Sequence, residues 1–387
     1  VTTLRVLCWD DPRCLAPMRA AATAFAAARP GVRVEVAGRP LAAFNDQPIE
    51  EAAAGHDVVV FDYPMAPRAA ESGALLPVRP AGAGAVGAAH GSFDWDGRSW
   101  GIPVDAACQV AVSRADLLPA TDVPRTWADV LAFARAHPGR VAVPLFHSDV
   151  LCALLSITAA VGAPIGPGGF VADDSAVEVL CELAALLDDQ LLDRNPPAVL
   201  AELATSDRWL YSPLLFGYAR WSAGPGAADG EPAPSPTGAR LAWHDAPTGP
   251  DGVIGSLLGG AGLGVSAAST APDLAAEFAA WYGGADVQRR IVGPSGGQPA
   301  AAAAWDDQDL DRAFGGFYSA TRRSMLAAVR RPAHPRWPAF QYEAGLLLRD
   351  GLAGRARPAG LAAELRAMQR RHGIPTASTA DDKVVPA

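Results

Sequence analysis

Three acidic residues stand where two short apolar runs stop. Leu4–Trp9 runs into Asp10 and Asp11, and Asp57–Phe61, DVVVF, runs into Asp62, Tyr63 and Pro64. A carboxylate beside a flat ring can grip a polyhydroxylated molecule: the ring stacks on an apolar face while the carboxylate accepts from hydroxyls. Trp9, Tyr63, Trp209, Tyr211, Tyr218 and Trp221 all fall at strand ends or in loops, not at helical core spacing. Each of these rings has a second reading, as packing between lobes. Asp10-Asp11 has one too, as the N-cap or lead-in of the helix that follows.

Two carboxylates at a strand end also suit acid–base hydrolysis of a glycosidic bond, but no paired partner for them stands out. A cleft enzyme built on Asp10, Asp11 and Asp62 is therefore a minor alternative. The seven histidines are scattered, none paired at i, i+4 around a glutamate, and no G-x-S-x-G elbow occurs. Gly260-Ala-Gly262-Leu-Gly264 fails as a dinucleotide fingerprint, because the residues after it continue a strand and it lies far from the N-terminal βαβ unit. No cofactor or metal site is expected. The five cysteines, Cys8, Cys14, Cys108, Cys152 and Cys181, are widely spaced in apolar surroundings without a C-x-x-C pair, and read as buried free thiols.

The elements that would position these residues follow a βαβαβ order within the first 60 or so residues. Leu4–Trp9 is a strand, Pro17–Ala28 a helix, Val32–Val36 a strand, Pro48–Ala54 a helix and Asp57–Phe61 a strand apolar on both faces. Ligands of such doubly wound sheets bind beyond the carboxyl ends of the strands, where Asp10, Asp11, Asp62 and Tyr63 lie. Phe93–Trp100 reads as a hairpin turning at Asp96-Gly97, and Gly101–Arg114 as a long extended apolar strand bearing Asp105 and Gln109. Helices are expected at Thr126–Ala136, Val150–Ala160, Ser175–Leu187 and Pro197–Ala204, and extended chain at Trp209–Phe216. Residues 223–237 read as a loop. Gly255–Ser266 is a glycine-rich strand whose Gly259, Gly260 and Gly262 leave backbone bare for a ligand or a neighbouring strand. Leu274, Phe278, Trp281 and Tyr282 then share one helix face.

At 387 residues the chain suits two lobes rather than one core. Its net charge of −9 argues against a nucleic-acid or anionic-membrane partner, and no apolar run approaches the ~20 residues of a membrane helix. The opening VTTLRVLCWD already reads as a strand, so either a leader has been removed or none existed.

Four segments together resemble the extracellular solute-binding proteins, family 1, of bacterial ABC transporters. They are LRVLCWD with the following helix and PGVRVEV; DVVVFDYP; W-G-I-P-V-D with its strand; and SLLGGAGLGVSAAS…AAEFAAWYGGADVQ…GGQPA. The resemblance implies an α/β fold of two lobes, the type II periplasmic-binding-protein fold, each lobe a mixed sheet flanked by helices and joined by crossing hinge strands. It divides the chain into 1–108 (first lobe), 109–254 (second lobe), 255–303 (return to the first), 304–374 (C-terminal helices, mainly second lobe) and a flexible tail, 375–387. It implies a non-catalytic monomer that closes by a hinge over a small polar ligand, such as a sugar, and passes it to an importer permease outside the cytoplasm. The alternative is a cytoplasmic binding or sensor protein on the same fold. The ligand residues it implies are Trp9, Asp10, Asp11, Asp62, Tyr63, Asp105, Gln109, Gly259, Gly260, Gly262 and Gln298, with Trp209, Tyr211 and Tyr218 from the other lobe.

Overall fold

The computed structural model describes residues 1–79, 84–222 and 241–377. The loop expected at 223–237 and the tail beyond 377 lie outside the described residues. Those described fall into two compact units: Val1–Ala107, 218–222 and Gly259–Ser319 form the first, and Cys108–Gly217, 241–258 and 320–377 the second.

In the first unit, β1 (Thr2–Trp9) leads into α1 (Pro12–Ala27), whose N-cap Asp11 accepts from the Arg13 backbone N–H. The helix thus begins five residues before the expected Pro17, because Asp11-Pro12 supplies both cap and N1 proline, while Pro17 is absorbed inside it. β2 (Val32–Arg39) pairs with β1 in parallel over its whole length, and β3 (Val58–Asp62) joins β1 on the other side, also in parallel. Between them run α2 (Leu41–Asp46) and α3 (Ile49–Ala54). After β3 come α4 (Ala66–Ser72), the short β4 (Leu75–Leu76) and the hairpin β5 (Asp94–Trp95) and β6 (Arg98–Ser99). Asp96 and Gly97, both at positive φ, make the hairpin turn as expected.

β7 (Ile102–Arg114) carries the chain from the first unit into the second. There α5 (Trp127–Ala136) starts on a capping box of Thr126 and Asp129, and α6 (His147–Ala160) is buried almost all round. The hairpin β8 (Ile165–Gly166) and β9 (Gly169–Phe170) precedes α7 (Asp174–Ala184) and α8 (Pro196–Thr205). β10 (Tyr211–Phe216) and β11 (Leu241–His244) both pair antiparallel with β7. Helices Trp337–Ala353 and Pro358–His372 complete this unit.

The return is β12 (Leu258–Ser266), which pairs antiparallel with β3 and β4, followed by α9 (Pro272–Tyr282). Phe278 and Tyr282 of α9 bury against Phe25 of α1 and the apolar faces of β1, β3 and β12. The units depart from the expected division: Cys108 and 255–258 belong to the second, and 304–319 and 218–222 to the first. Trp305, Phe314, Phe317 and Tyr318 pack ring on ring there, and Tyr218 is held by Arg13. Among the described residues, no helix is long and apolar enough to cross a membrane.

Candidate functional site

The carboxyl ends of β1 and β3 carry Asp10, Asp11 and Asp62. Trp9 pairs with Arg39 across β1 and β2, and the chain then leaves the strand through Asp10, whose N–H donates to the Arg39 carbonyl. Asp10 is exposed, while Asp11 and Asp62 are partly so. Asp11 does two things: it caps α1 by accepting from the Arg13 N–H at 2.8 Å, and its Oδ1 lies 3.8 Å from Arg220 Nη1. Both sequence readings of Asp11, as cap and as an acid at the strand end, therefore describe the same side chain.

Starting α1 at Pro12 puts Arg13 in the first turn with its side chain inward. Its Nε and Nη2 donate to Asp105 Oδ2 and Oδ1 at 2.8 and 2.5 Å, a forked pair 92 residues apart in sequence. Both groups are buried, at 5% and 8% exposure. The guanidinium also stacks 4.5 Å over the Tyr218 ring. Burial pushes the Asp105 carboxyl up, and the Arg13 charge and hydrogen bonds pull the other way. Burial likewise works against the Arg13 charge, but Asp105 outweighs it and Arg13 holds its proton more firmly than usual.

Gln298 ties the same region together. Its Nε2 donates to the Ala106 carbonyl at 2.9 Å, its Oε1 accepts from the Ala219 N–H at 3.0 Å, and its own carbonyl accepts from Ala106 N–H. The Asp105–Ala106 step of β7, the 218–222 segment and the turn at Gln298 are thereby fastened to one another. Beneath the ion pair lies a cavity of about 10 Å³ lined by Trp9, Arg13, Cys14, Asp105, Tyr282 and Gln298. That is room for about one water molecule, far below a sugar.

The rings sit deeper than the acids. Trp9 is 5% exposed and packs on Phe44 at 5.0 Å, and Tyr63 is buried beside Phe93. On β12, Gly259 is buried, and a side chain at Gly262 would meet the Phe93 ring at 2.5 Å. Gly260, at φ +123°, passes so close to Asp105 that a Cβ would lie 2.3 Å from its carbonyl oxygen. The bare backbone of these last two positions thus accommodates a ring and the neighbouring strand.

The second unit holds the remaining three expected residues in its interior. Gln109 accepts from Ser156 Oγ at 2.6 Å, and Tyr211 donates from its hydroxyl to the Pro124 carbonyl at 3.2 Å. Trp209 is fully buried under the Arg208 guanidinium. In the first unit Asp10, Asp11 and Asp62 thus stand at the ends of β1 and β3, Asp105 and Tyr218 meet at Arg13, and Gln298 joins Ala106 to Ala219. Sequence reasoning missed Arg13 and Arg220; a helix start at Asp11-Pro12 would have placed Arg13 facing inward. Among the described residues, no group of three His, Cys, Asp or Glu could hold a metal ion.

Residues 20–313 match the family described as bacterial extracellular solute-binding protein, and the chain belongs to that family. No curated protein matches it in sequence. Among solved structures it resembles an ABC transporter solute-binding protein from Thermotoga lettingae bound with α-D-tagatose (TM-score 0.78, 16% identity, covering 96% of this chain and 100% of that one). It also resembles the GacH receptor of Streptomyces glaucescens, solved unliganded and with acarbose (0.77, 19%, 96% and 98%), and maltose-bound T. maritima MalE3 (0.74, 16%, 95% and 100%). The fold is the two-lobed α/β fold of periplasmic binding proteins, with β7 and β12 as the strands that cross between units.

Proposed function

We propose that the protein captures a small carbohydrate or polyol outside the cytoplasm and delivers it to an ABC importer, acting as a monomer and without catalysis. Membership of the extracellular solute-binding family carries this reading, and the sugar-bound neighbours on the same fold support it. On the first unit, Asp10, Asp11 and Asp62 offer carboxylates as hydroxyl acceptors at adjoining strand ends. Arg220, paired with Asp11, offers donors, and the partly exposed Trp221 beside it offers a ring face. Buried Trp9, Tyr63, Tyr218 and Gln298 then act from below, setting the height and angle of that edge.

The test is a calorimetric panel of maltose, maltotetraose, acarbose, tagatose, mannitol and ribitol against amino acids and dipeptides. Binding to a member of the first group is expected, weakened about tenfold or more by Asp11→Ala or Trp221→Ala, about 1.4 kcal/mol or more. Binding confined to amino acids or peptides would overturn the carbohydrate reading. Unchanged affinity in both variants would overturn the placement of the ligand.

A further inference from the structure

Cys8 and Cys14 share one seam. On β1, Leu4, Val6 and Cys8 alternate onto the face that packs against α1; on α1, Cys14, Met18, Ala21 and Phe25 form the stripe that packs back. Five residues intervene, but the chain doubles back at Asp10-Asp11, so the last inward residue of the strand meets the first inward apolar residue of the helix. Cys8 is a side-chain hydrogen-bonding neighbour of Cys14 and, with burial, pushes its thiol up; both are buried as free cysteines. Cys14 also lines the small cavity beneath Arg13 and Asp105.

A cation completes the arrangement. Arg39, at the end of β2, is 6% exposed; its Nη1 and Nη2 donate to Gln47 Oε1 and the Val60 carbonyl, and no carboxylate pairs with it among the described residues. Burial lowers its pKa to about 10, and the two sulfurs are near enough for negative charge on either to oppose that. That cation does not offset burial at Cys14: burial, Cys8 and Asp105 hold its thiol well above the usual range, so exchange proceeds while the chain is folding and the seam is still open. The other three cysteines lie in the second unit: Cys152 donates to the Ser148 carbonyl, and Cys108 and Cys181 sit apart on β7 and α7.

We propose that Cys8 and Cys14 are a dithiol site that closes into an intramolecular disulfide when the chain folds against a low-molecular-weight disulfide oxidant. One cysteine loses its proton, and its thiolate displaces a thiolate from the oxidant, giving a mixed disulfide. The second, deprotonated in turn, attacks the protein sulfur and expels the remaining thiolate. The protein loses two protons and two electrons, and the oxidant becomes two thiols. The bond staples the end of β1 to the first turn of α1, and so fixes the Asp10–Arg13 turn that carries the strand-end acids.

The full chain is refolded with oxidised glutathione or with dithiothreitol, free thiols are alkylated, and trypsin is added. Cleavage after Arg5, Arg13 and Arg19 separates the two cysteines into peptides 6–13 and 14–19. The oxidised sample is expected to yield these two joined, with titratable thiols falling from five per chain to three, five less the two joined. The reduced sample is expected to yield both peptides alkylated. Chain purified natively without reductant gives the same readout should oxidative refolding fail. Both peptides alkylated in every oxidised sample, or either joined to the Cys108, Cys152 or Cys181 peptide, overturns the proposal.

Discussion

Replacing Asp105 with Asn tests whether the Arg13–Asp105 pair organises the first unit. The side chains are nearly isosteric, so no cavity opens and the change is one of charge. Arg13 would remain at 5% exposure with one forked bond weakened and its counter-charge gone. Breaking a buried pair by removing one partner costs about 3–5 kcal/mol, because the surviving charge is left uncompensated. The Tyr218 ring and the more distant Asp11 still face the guanidinium, which favours the lower end, about 3 kcal/mol. At roughly 2.1 cal/mol/K per residue, a 387-residue chain melting as one has an unfolding entropy near 0.8 kcal/mol/K, so the midpoint should fall by about 4 °C, and further if the first unit melts alone. Asp309→Asn, which breaks an exposed pair with Arg312, should leave the midpoint unchanged. The double variant Arg13→Met, Asp105→Leu removes both charges and should be milder than Asp105→Asn alone. Denaturant and thermal unfolding read all three. A loss under about 1 kcal/mol for Asp105→Asn, or a double variant worse than the single, would refute the reasoning.

Acid stability should carry the signature of Asp57. Burial pushes its carboxyl up, but the Arg5 backbone N–H, the Ser269 hydroxyl and the Arg5 guanidinium more than offset this and hold it below the usual range. A depressed carboxyl contributes stability in full above its unfolded value near pH 4, lost as pH falls through the folded value, so Asp57→Asn should lower stability at pH 7 and flatten the decline below pH 4. Denaturant midpoints from pH 2 to 7 check this; an unchanged acid slope counts against it. On β12, Gly260→Ala should cost at least about 2 kcal/mol, since it meets both a positive φ and the Asp105 carbonyl. Gly360→Ala, in open space on the helix Pro358–His372, should instead stabilise by about 0.5–1 kcal/mol. Equal midpoints for the two glycine variants would show that the approach of β12 to Asp105 is loose.

Much of the frame was legible because local pattern determines it. Alternation and apolar runs located β1, β3 and β7, the Asp96-Gly97 turn located its hairpin, and Leu274, Phe278, Trp281 and Tyr282 placed α9 on the sheet. The start of α1 was misplaced because Pro17 is as good an N1 residue as Pro12, and only the cap bond from Asp11 distinguishes them. That five-residue shift hid Arg13, and with it the link to Asp105, since a pairing across 92 residues leaves no local periodicity. The boundary near residue 304 slipped for a related reason: Trp305, Phe317 and Tyr318 have apolar partners in one another, which spacing alone cannot assign to either unit.

The depth of the aromatic residues changes how the strand-end acids should be read. Ring and carboxylate stood together in sequence at Trp9-Asp10-Asp11 and Asp62-Tyr63, which suggested stacking and hydrogen bonding from the same turn. Both faces of β1 are buried, with Trp9 turned onto Phe44, and Asp10 is exposed because it lies past the end of the strand. The rings adjacent to the acids pack on Phe44 and Phe93, so under the proposed function a stacking ring is sought elsewhere in the chain. Within the first unit, the 218–222 segment offers one: Tyr218 buries beneath Arg13, Arg220 reaches Asp11, and Trp221, next in sequence, is partly exposed. An Asp11→Ala change would remove one Arg220 partner and the α1 cap as well as an acceptor, so its effect on affinity should exceed that of Asp10→Ala.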